Sequence, residues 1–313
     1  MSSAKILASG ALLIAPVAAR ATAQTPAVNV ARIAVTTATA SRAKTPPLID
    51  GSDADAAWSS AAPITDFRTF EPVEDGDPRF RTEARVVHDA TNLYVFVRAF
   101  DPHPDSIISL LSRRDIKTQS DQIKIMIDSY HDRRTGYEFA VNPAGVKRDY
   151  YLYDDVNEDD SWDAVWDVAA RIDSLGWTAE FRIPLSQLRY PKMESNTFGL
   201  MIMRDLARTN ERFSWPAFRR TRPGVTSQFG EISGLNGLGS PRRLEITPYV
   251  ETKNVTTRDA NGFGRLQQQS AGADLKYGLS SNLTLDATIN PDFGQVEADP
   301  AVLNLTAFET FFE

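Results

Sequence analysis

"TEARVVHDATNLYVFVRAFD", Thr82 to Asp101, sets two runs of β-branched and aromatic residues on either side of Asp89-Ala90-Thr91-Asn92. Such runs favour strands and the short polar cluster between them is turn chemistry, so the stretch predicts a β-hairpin. The same grammar repeats outward from it. "DQIKIMIDS" (121–129) puts Ile123, Ile125 and Ile127 on one face and Lys124, Met126 and Asp128 on the other. "GYEFAVNPAGVKRDYYLYD" (136–154) reads as two strands about "NPAG", and "WDVAARIDSLGWTAEFRIPLSQL" (166–188) as two more about "DSLG". "TFGLMIMRDLA" (197–207) adds another strand, and "PLSQLRY" a short turn of helix. Many short strands separated by turns at regular spacing predict an all-β chain built on an antiparallel β-sandwich, with little helix. At the start of this region, Ser52 and Asp55 in "LIDGSDADAAW" (48–58) have the spacing of a capping box, and one helical turn over Ala54–Ala57 would dock Trp58.

"GEISGLNGLGSPRR" (230–243) shifts the composition to Gly, Ser and Pro and marks a boundary near residue 240. Beyond it, "AGADLKYGLSSNLTLDATIN" alternates strictly. Ala271, Ala273, Leu275, Tyr277 and Leu279 share one face of a strand, and Leu283, Leu285, Ala287 and Ile289 share one face of the next. Strands of about nine residues with one apolar face fit a transmembrane β-barrel hairpin. They fit a soluble sheet with one wet face equally well.

The first 23 residues have a cationic start at Lys5, an apolar run from Ile6 to Ala19 and an A-x-A site at Ala21–Ala23, the pattern of a secretory signal peptide. Residues 24–45, rich in Ala, Thr and Val, read as a flexible lead-in. The formal charge is −7, and loss of Lys5 and Arg20 with the signal segment leaves −9, which disfavours nucleic acid as a partner. With no Cys there are no disulfides, thiolate metal sites or Cys nucleophiles.

Three stretches carry candidate chemistry. In "DDVNEDDSWDAVWD" (154–167), Asp155, Asn157 and Asp159 have the D-x-N-x-D spacing that can turn alternate oxygens toward a hard cation, and calcium is the expected ion. The alternative is a solvated loop rim. Trp162, Trp166 and Tyr153 flank that loop beside Tyr150 and Tyr151. Flat aromatic faces next to carboxylates are the means of gripping a sugar, with Arg114 and Asp115 as polar partners. Trp162 and Trp166 would share a face in a strand, so at least one of them is expected in the core. The basic stretch "RDLARTNERFSWPAFRRTRPG" (204–224) could meet anionic glycans. Pairing with the acidic loops is the favoured reading, because 41 carboxylates outnumber 34 cations. The three His are scattered, and no G-x-S-x-G, H-E-x-x-H or phosphate-loop motif occurs, so catalysis is not expected.

"PLIDGSDADAAW", "RVVHDATNLYVFVRAFDP", "DQIKIMIDSYHDRRTGYEFAVNPAG" and "GWTAEFRIPLSQL" together resemble the carbohydrate-binding module family 9-like domain, a β-sandwich, over residues 46–238. "RLEITPYV" through "NPDFGQVEADPAVLNLTAFETFFE" (239–313) resembles the start of the β-barrel domain of unknown function that follows this module in bacterial outer-membrane proteins. The resemblance implies an all-β protein, a sandwich followed by the first strands of an incomplete barrel, in a chain truncated at its C-terminus. It implies export to the outer membrane, with the sandwich in the periplasm or at the cell surface and a polysaccharide or oligosaccharide as ligand. The alternatives are a structural or gating domain of an outer-membrane transporter that binds no sugar, and an accessory domain of a glycoside hydrolase in carbohydrate catabolism. The family's sugar clamp places an aromatic residue three before Asp121, an acid three after it and an Arg in the next strand. Those positions hold Thr118, Lys124 and Ala140, and all three depart from the pattern.

Overall fold

The computed structural model describes residues 35–239, 244–259, 262–278 and 284–290. The expected signal segment, the first part of the lead-in, the turn at 280–282 and the closing stretch with Phe293, Phe308, Phe311 and Phe312 lie outside the described residues. Seventeen strands are described, with one short helix, α1 (Ala56–Ser59). In chain order they are β1 (Thr37–Thr39), β2 (Ser41–Arg42), β3 (Arg68–Glu71), β4 (Thr82–His88), β5 (Asn92–Phe100), β6 (Gln122–Asp128), β7 (Gly136–Val141), β8 (Lys147–Tyr153) and β9 (Asn157–Asp159). They continue with β10 (Asp167–Asp173), β11 (Gly176–Pro184), β12 (Ser195–Leu206), β13 (Glu211–Trp215), β14 (Gly230–Asn236), β15 (Leu244–Asp259), β16 (Gly262–Gly278) and β17 (Thr284–Ile289).

Two sheets make the sandwich. The larger runs β1-β14-β12-β6-β7-β8-β9, with β13 on the second half of β12 and β3 on β13. The smaller runs β10-β11-β5-β4-β2. The hairpins read from the sequence form: β4–β5 pair with His88 opposite Leu93, β7–β8 with Val141 opposite Lys147, and β10–β11 with Asp173 opposite Gly176. In the last of these only Ser174 and Leu175 turn the chain. Gly176 sits at φ +134° where a Cβ would lie 2.2 Å from the Ala99 carbonyl, so no side chain fits there.

The core lies between the sheets. Ile123, Ile125 and Ile127 meet Val95, Val97, Phe181 and Trp177, all fully buried. The opposite face of β6 is also covered. Met126 joins Phe70, Met201, Met203 and Phe229 in a second cluster, roofed by Phe218 and Val225 of the 216–229 loop. The polar half of the alternation at 121–129 is therefore not solvated, although period two alone implied that it was.

Two expectations change. The capping box at Ser52 and Asp55 does not form. Asp55 is the N-cap by position, but its carboxylate accepts the Leu48 amide instead (2.9 Å), and the helical turn sits two residues later than expected while still burying Trp58. The lead-in is not flexible to residue 45. β1 adds in parallel to the free edge of β14 and β2 adds in parallel to the free edge of β4, so residues 37–42 strap the two sheets together. Unpaired edges explain this, because each would otherwise leave backbone donors and acceptors bare.

One end of the sandwich is closed by a buried ion pair. Both terminal nitrogens of Arg208 donate to Asp101 (2.6 and 2.9 Å), which is 1% exposed. Burial alone would raise the Asp101 pKa. The Arg208 contacts and the His103 amide outweigh it and hold the carboxyl below its ordinary value. A depressed carboxylate contributes its stability above the unfolded pKa, about 3.9, and loses it as pH falls through the folded value. Asp101→Asn is expected to cost about 2 kcal/mol at pH 7 and to flatten the decline of the urea midpoint below about pH 4. An unchanged acid limb in the variant would refute this assignment.

Candidate functional site

The outer face of the larger sheet carries the residues that the resemblance assigns to sugar recognition. Lys124 lies opposite Ala140 on β7, and Ala140 lies opposite Arg148 on β8. Lys124 is not a free donor. Its Nζ meets Asp205 at 3.2 Å, Arg212 Nε meets the same carboxylate at 3.0 Å, and Arg212 and Arg220 reach Glu71 at 3.6 and 3.0 Å. Burial alone would raise the Asp205 pKa, but Lys124 and Arg212 hold it below the ordinary carboxylate range. One strand further on, Arg148 donates to Glu138 (3.0 Å), both nine-tenths buried, with the guanidinium 5.0 Å from the Tyr150 ring centre. An Arg and an acid thus stand side by side on this face, displaced by one strand from where the resemblance would put them.

Beside Tyr150 a cleft of about 320 Å³ opens at the rim of that face, lined by Asp115, Lys117, Tyr150, Glu158 and Asp160. Lys117 Nζ lies 5.2 Å from the Tyr150 ring centre and 3.3 Å from Glu158. Burial raises the Asp115 pKa and the Asp149 charge adds to it, with Arg114 opposing. Three carboxylates against one ammonium make the lining net acidic.

The expected site residues separate. Asp115 lines the cleft. Tyr153 ends β8 at 40% exposure, available at the surface but not in the cleft lining. Arg114 is not a free ligand donor: it binds Asp149 (2.5 Å), Asp163 (2.5 Å) and the Ala164 carbonyl (2.8 Å), and so pins the 162–166 loop. Neither Trp lies in a strand. Trp166 belongs to the core, at 1% exposure, stacked 5.8 Å from Phe181 and donating to Asp149 (3.3 Å). Trp162 is half-buried against Tyr137 and Phe139, at ring distances of 5.0 and 5.9 Å.

The calcium spacing does not become a cage. Asp154 and Asp155 adopt left-handed backbone in the β8–β9 turn, where Asp is tolerated for its short polar side chain. The Asp155 carboxylate accepts the Val225 and Ser227 amides (3.0 and 2.8 Å), against Gly224, where a Cβ would come within 2.2 Å of it. Asn157 pairs with Tyr153 across the turn, and Asp159 accepts the Ser161 amide and hydroxyl. The three side chains thus face different protein donors. Among the described residues no group of three His, Cys, Asp or Glu is gathered for a metal.

The basic stretch pairs internally. Arg219 meets Asp75 (2.8 Å), Arg220 meets Glu71, and Thr221 binds Glu74 through its amide and hydroxyl (2.9 and 2.8 Å), so the Glu71–Asp77 loop neutralises it. Residues that the sequence reading missed are Lys117, Glu158 and Asp160 of the cleft and Asp149, which organises it. The only sequence signal for Asp149 is a carboxylate in the inward register of "KRDYYLY".

A two-sheet sandwich with a shallow polar cleft on its broad face is the architecture of a ligand-binding module. The chain belongs to the carbohydrate family 9 binding domain-like family, whose model matches residues 49–234. Residues 240–313 match a model described as a domain of unknown function (DUF5916). Similar solved structures include a family 9 carbohydrate-binding module from Caldicellulosiruptor kristjanssonii in complex with cellotriose, at 19% identity over 66% of this chain and 96% of that one, with a TM-score of 0.47. The module from that organism in complex with glucose matches at 19% identity over 66% and 98%, with a TM-score of 0.46. No curated protein matches the chain.

Proposed function

We propose that the protein is an exported, non-catalytic module that binds a polysaccharide or oligosaccharide in the cleft of Asp115, Lys117, Tyr150, Glu158 and Asp160. The observation that carries this reading is the Arg148–Glu138 pair beneath Tyr150, next to a polar cleft, on the face where the family resemblance expects an Arg and an acid. Carboxylates accept from sugar hydroxyls and Lys117 donates to them. The lining disfavours uronic acids and favours neutral or amino sugars.

An outer-membrane setting is supported by the sheet β15-β16-β17. Its strands are longer than the nine residues expected, 16 and 17 in β15 and β16. One face carries Leu244, Ile246 and Val250 across from Tyr277, Leu285 and Ile289, each 42–79% exposed. In this reading that face meets lipid as part of a barrel. A non-sugar-binding structural or gating domain is the second reading, favoured by the ion pairs that already engage Lys124, Arg212 and Arg220.

Isothermal titration of the full chain against gluco-, glucosamine- and galacturonate oligosaccharides, with calcium and with chelator, separates the two. Binding in the order glucosamine, glucose, galacturonate is expected, with no release of reducing ends. Glu158→Gln is expected to weaken the glucose complex about tenfold, the loss of one hydrogen bond to a charged group. Absence of heat with every oligosaccharide, with or without calcium, would leave only the structural reading.

A further inference from the structure

The outer face of the smaller sheet carries a second cleft, unrelated to the first. Segment 43–61 lies across half of that face, where Trp58 packs on Phe96 with ring centres 5.5 Å apart and donates to the buried Glu180 (2.9 Å). The cover stops short of Phe100. What remains open is a cleft of about 280 Å³ whose lining includes Trp58, Phe96, Phe100 and Leu175 on its apolar side. Asp53, Glu83, Arg85 and Arg98 form its polar side.

Two features of this cleft point to a ligand. Arg98 is 8% exposed and is held by Asp173 (2.8 Å) and Asp53 (3.3 Å), yet its Nε is buried and donates to no acceptor. A buried donor left unpaired is costly, and a bound acceptor relieves it. The lining is also charge-balanced, because Glu83 pairs with Arg85 (2.7 Å) and Asp53 with Arg98. A charged ligand would leave one of these partners uncompensated. A neutral ring with hydroxyls on its edge and C–H groups on its face fits both sides: the face against Phe100, the hydroxyls toward Asp53, Glu83 and Arg98 Nε.

We infer that this cleft is a second saccharide site, for a single neutral sugar ring, on the opposite side of the sandwich from the first. It does not depend on the first cleft. The two differ in charge preference, so a chain gripped by both would contact the module on two faces and gain avidity.

The test is saturation-transfer NMR on the full chain with three probes at millimolar concentration: methyl glucoside, methyl glucuronide and glucosamine. Methyl glucoside is expected to give the strongest signal. At least a fivefold loss is expected in Phe100→Ala and in Asp53→Asn, an exposed position whose exchange leaves the core intact. The signal should survive in Glu158→Gln, whereas failure of the first cleft alone would appear as a weakened glucosamine signal with methyl glucoside retained. A glucuronide signal equal to or above that of the glucoside, or a glucoside signal unchanged in both Phe100→Ala and Asp53→Asn, would overturn the proposal.

Discussion

Replacing Arg204 by Ala is expected to lower stability by about 3–5 kcal/mol, the cost of breaking a fully buried charge network from one side. Arg204 faces inward from β12 at 0% exposure and crosses the gap between the sheets. It donates to the Arg81 carbonyl and Thr82 Oγ1 (both 3.1 Å) and to the Phe100 carbonyl (2.9 Å). Burial pulls its pKa down to about 10, while the Asp121 and Asp101 charges oppose the drop, so it remains cationic at neutral pH. Without it, three acceptors on the smaller sheet lose their donor, and Asp121, already raised by burial, loses a compensating charge. The sign of the pH dependence follows. A carboxyl whose folded pKa is raised penalises folding when ionised and ceases to do so once protonated. The deficit of Arg204→Ala should therefore be largest near pH 7 and shrink on acidification. Urea unfolding at pH 7 and pH 4.5 checks both statements. A loss under 1 kcal/mol would mean that the two sheets do not depend on this contact.

Replacing Trp166 by Ala should cost about 3–5 kcal/mol, the usual range for a large aromatic removed from a core. Its ring lies between Phe139 and Phe181, with Lys147 Nζ 5.3 Å from its centre, and its Nε1 supplies one of the donors to Asp149. Asp149 also accepts from Arg114 and from the Ala164 amide (2.6 Å), so the substitution should loosen the loop that borders the sugar cleft. Trp162→Ala, at a half-buried position, is expected to cost clearly less. Comparing the two by chemical denaturation distinguishes a core residue from a surface platform. Equal small losses would return Trp166 to the list of ligand contacts.

The cleft lining shows how the site depends on long-range pairing. Asp115 and Lys117 come from the β5–β6 connection, Tyr150 from β8, and Glu158 and Asp160 from around β9. The acidic run at 154–167 looked like the chemical centre because its carboxylates are adjacent in sequence. In the fold Asp155 turns to the 224–227 loop and Asp159 to Ser161, while only Glu158 and Asp160 reach the cleft. The basic run at 204–224 was correctly read as internally paired. Its specific partners at Glu71–Asp77 lie more than a hundred residues away and follow from β3 pairing with β13.

Period-two alternation and turn chemistry are local properties, so the sequence alone determined the all-β class, the hairpins at 89–91, 142–146 and 174–175, and the apolar faces of the paired strands at 271–278 and 284–289. A strand's period states that two faces exist but not what covers each one. That Lys124, Met126 and Asp128 are buried, that residues 37–42 strap the sheet edges, and that Trp166 is core were decided by packing between segments distant in sequence. The same holds for the clefts. Each is assembled from side chains whose proximity depends on strand order and register, and those are fixed by the tertiary structure, where every edge and every buried charge must find its partner at once.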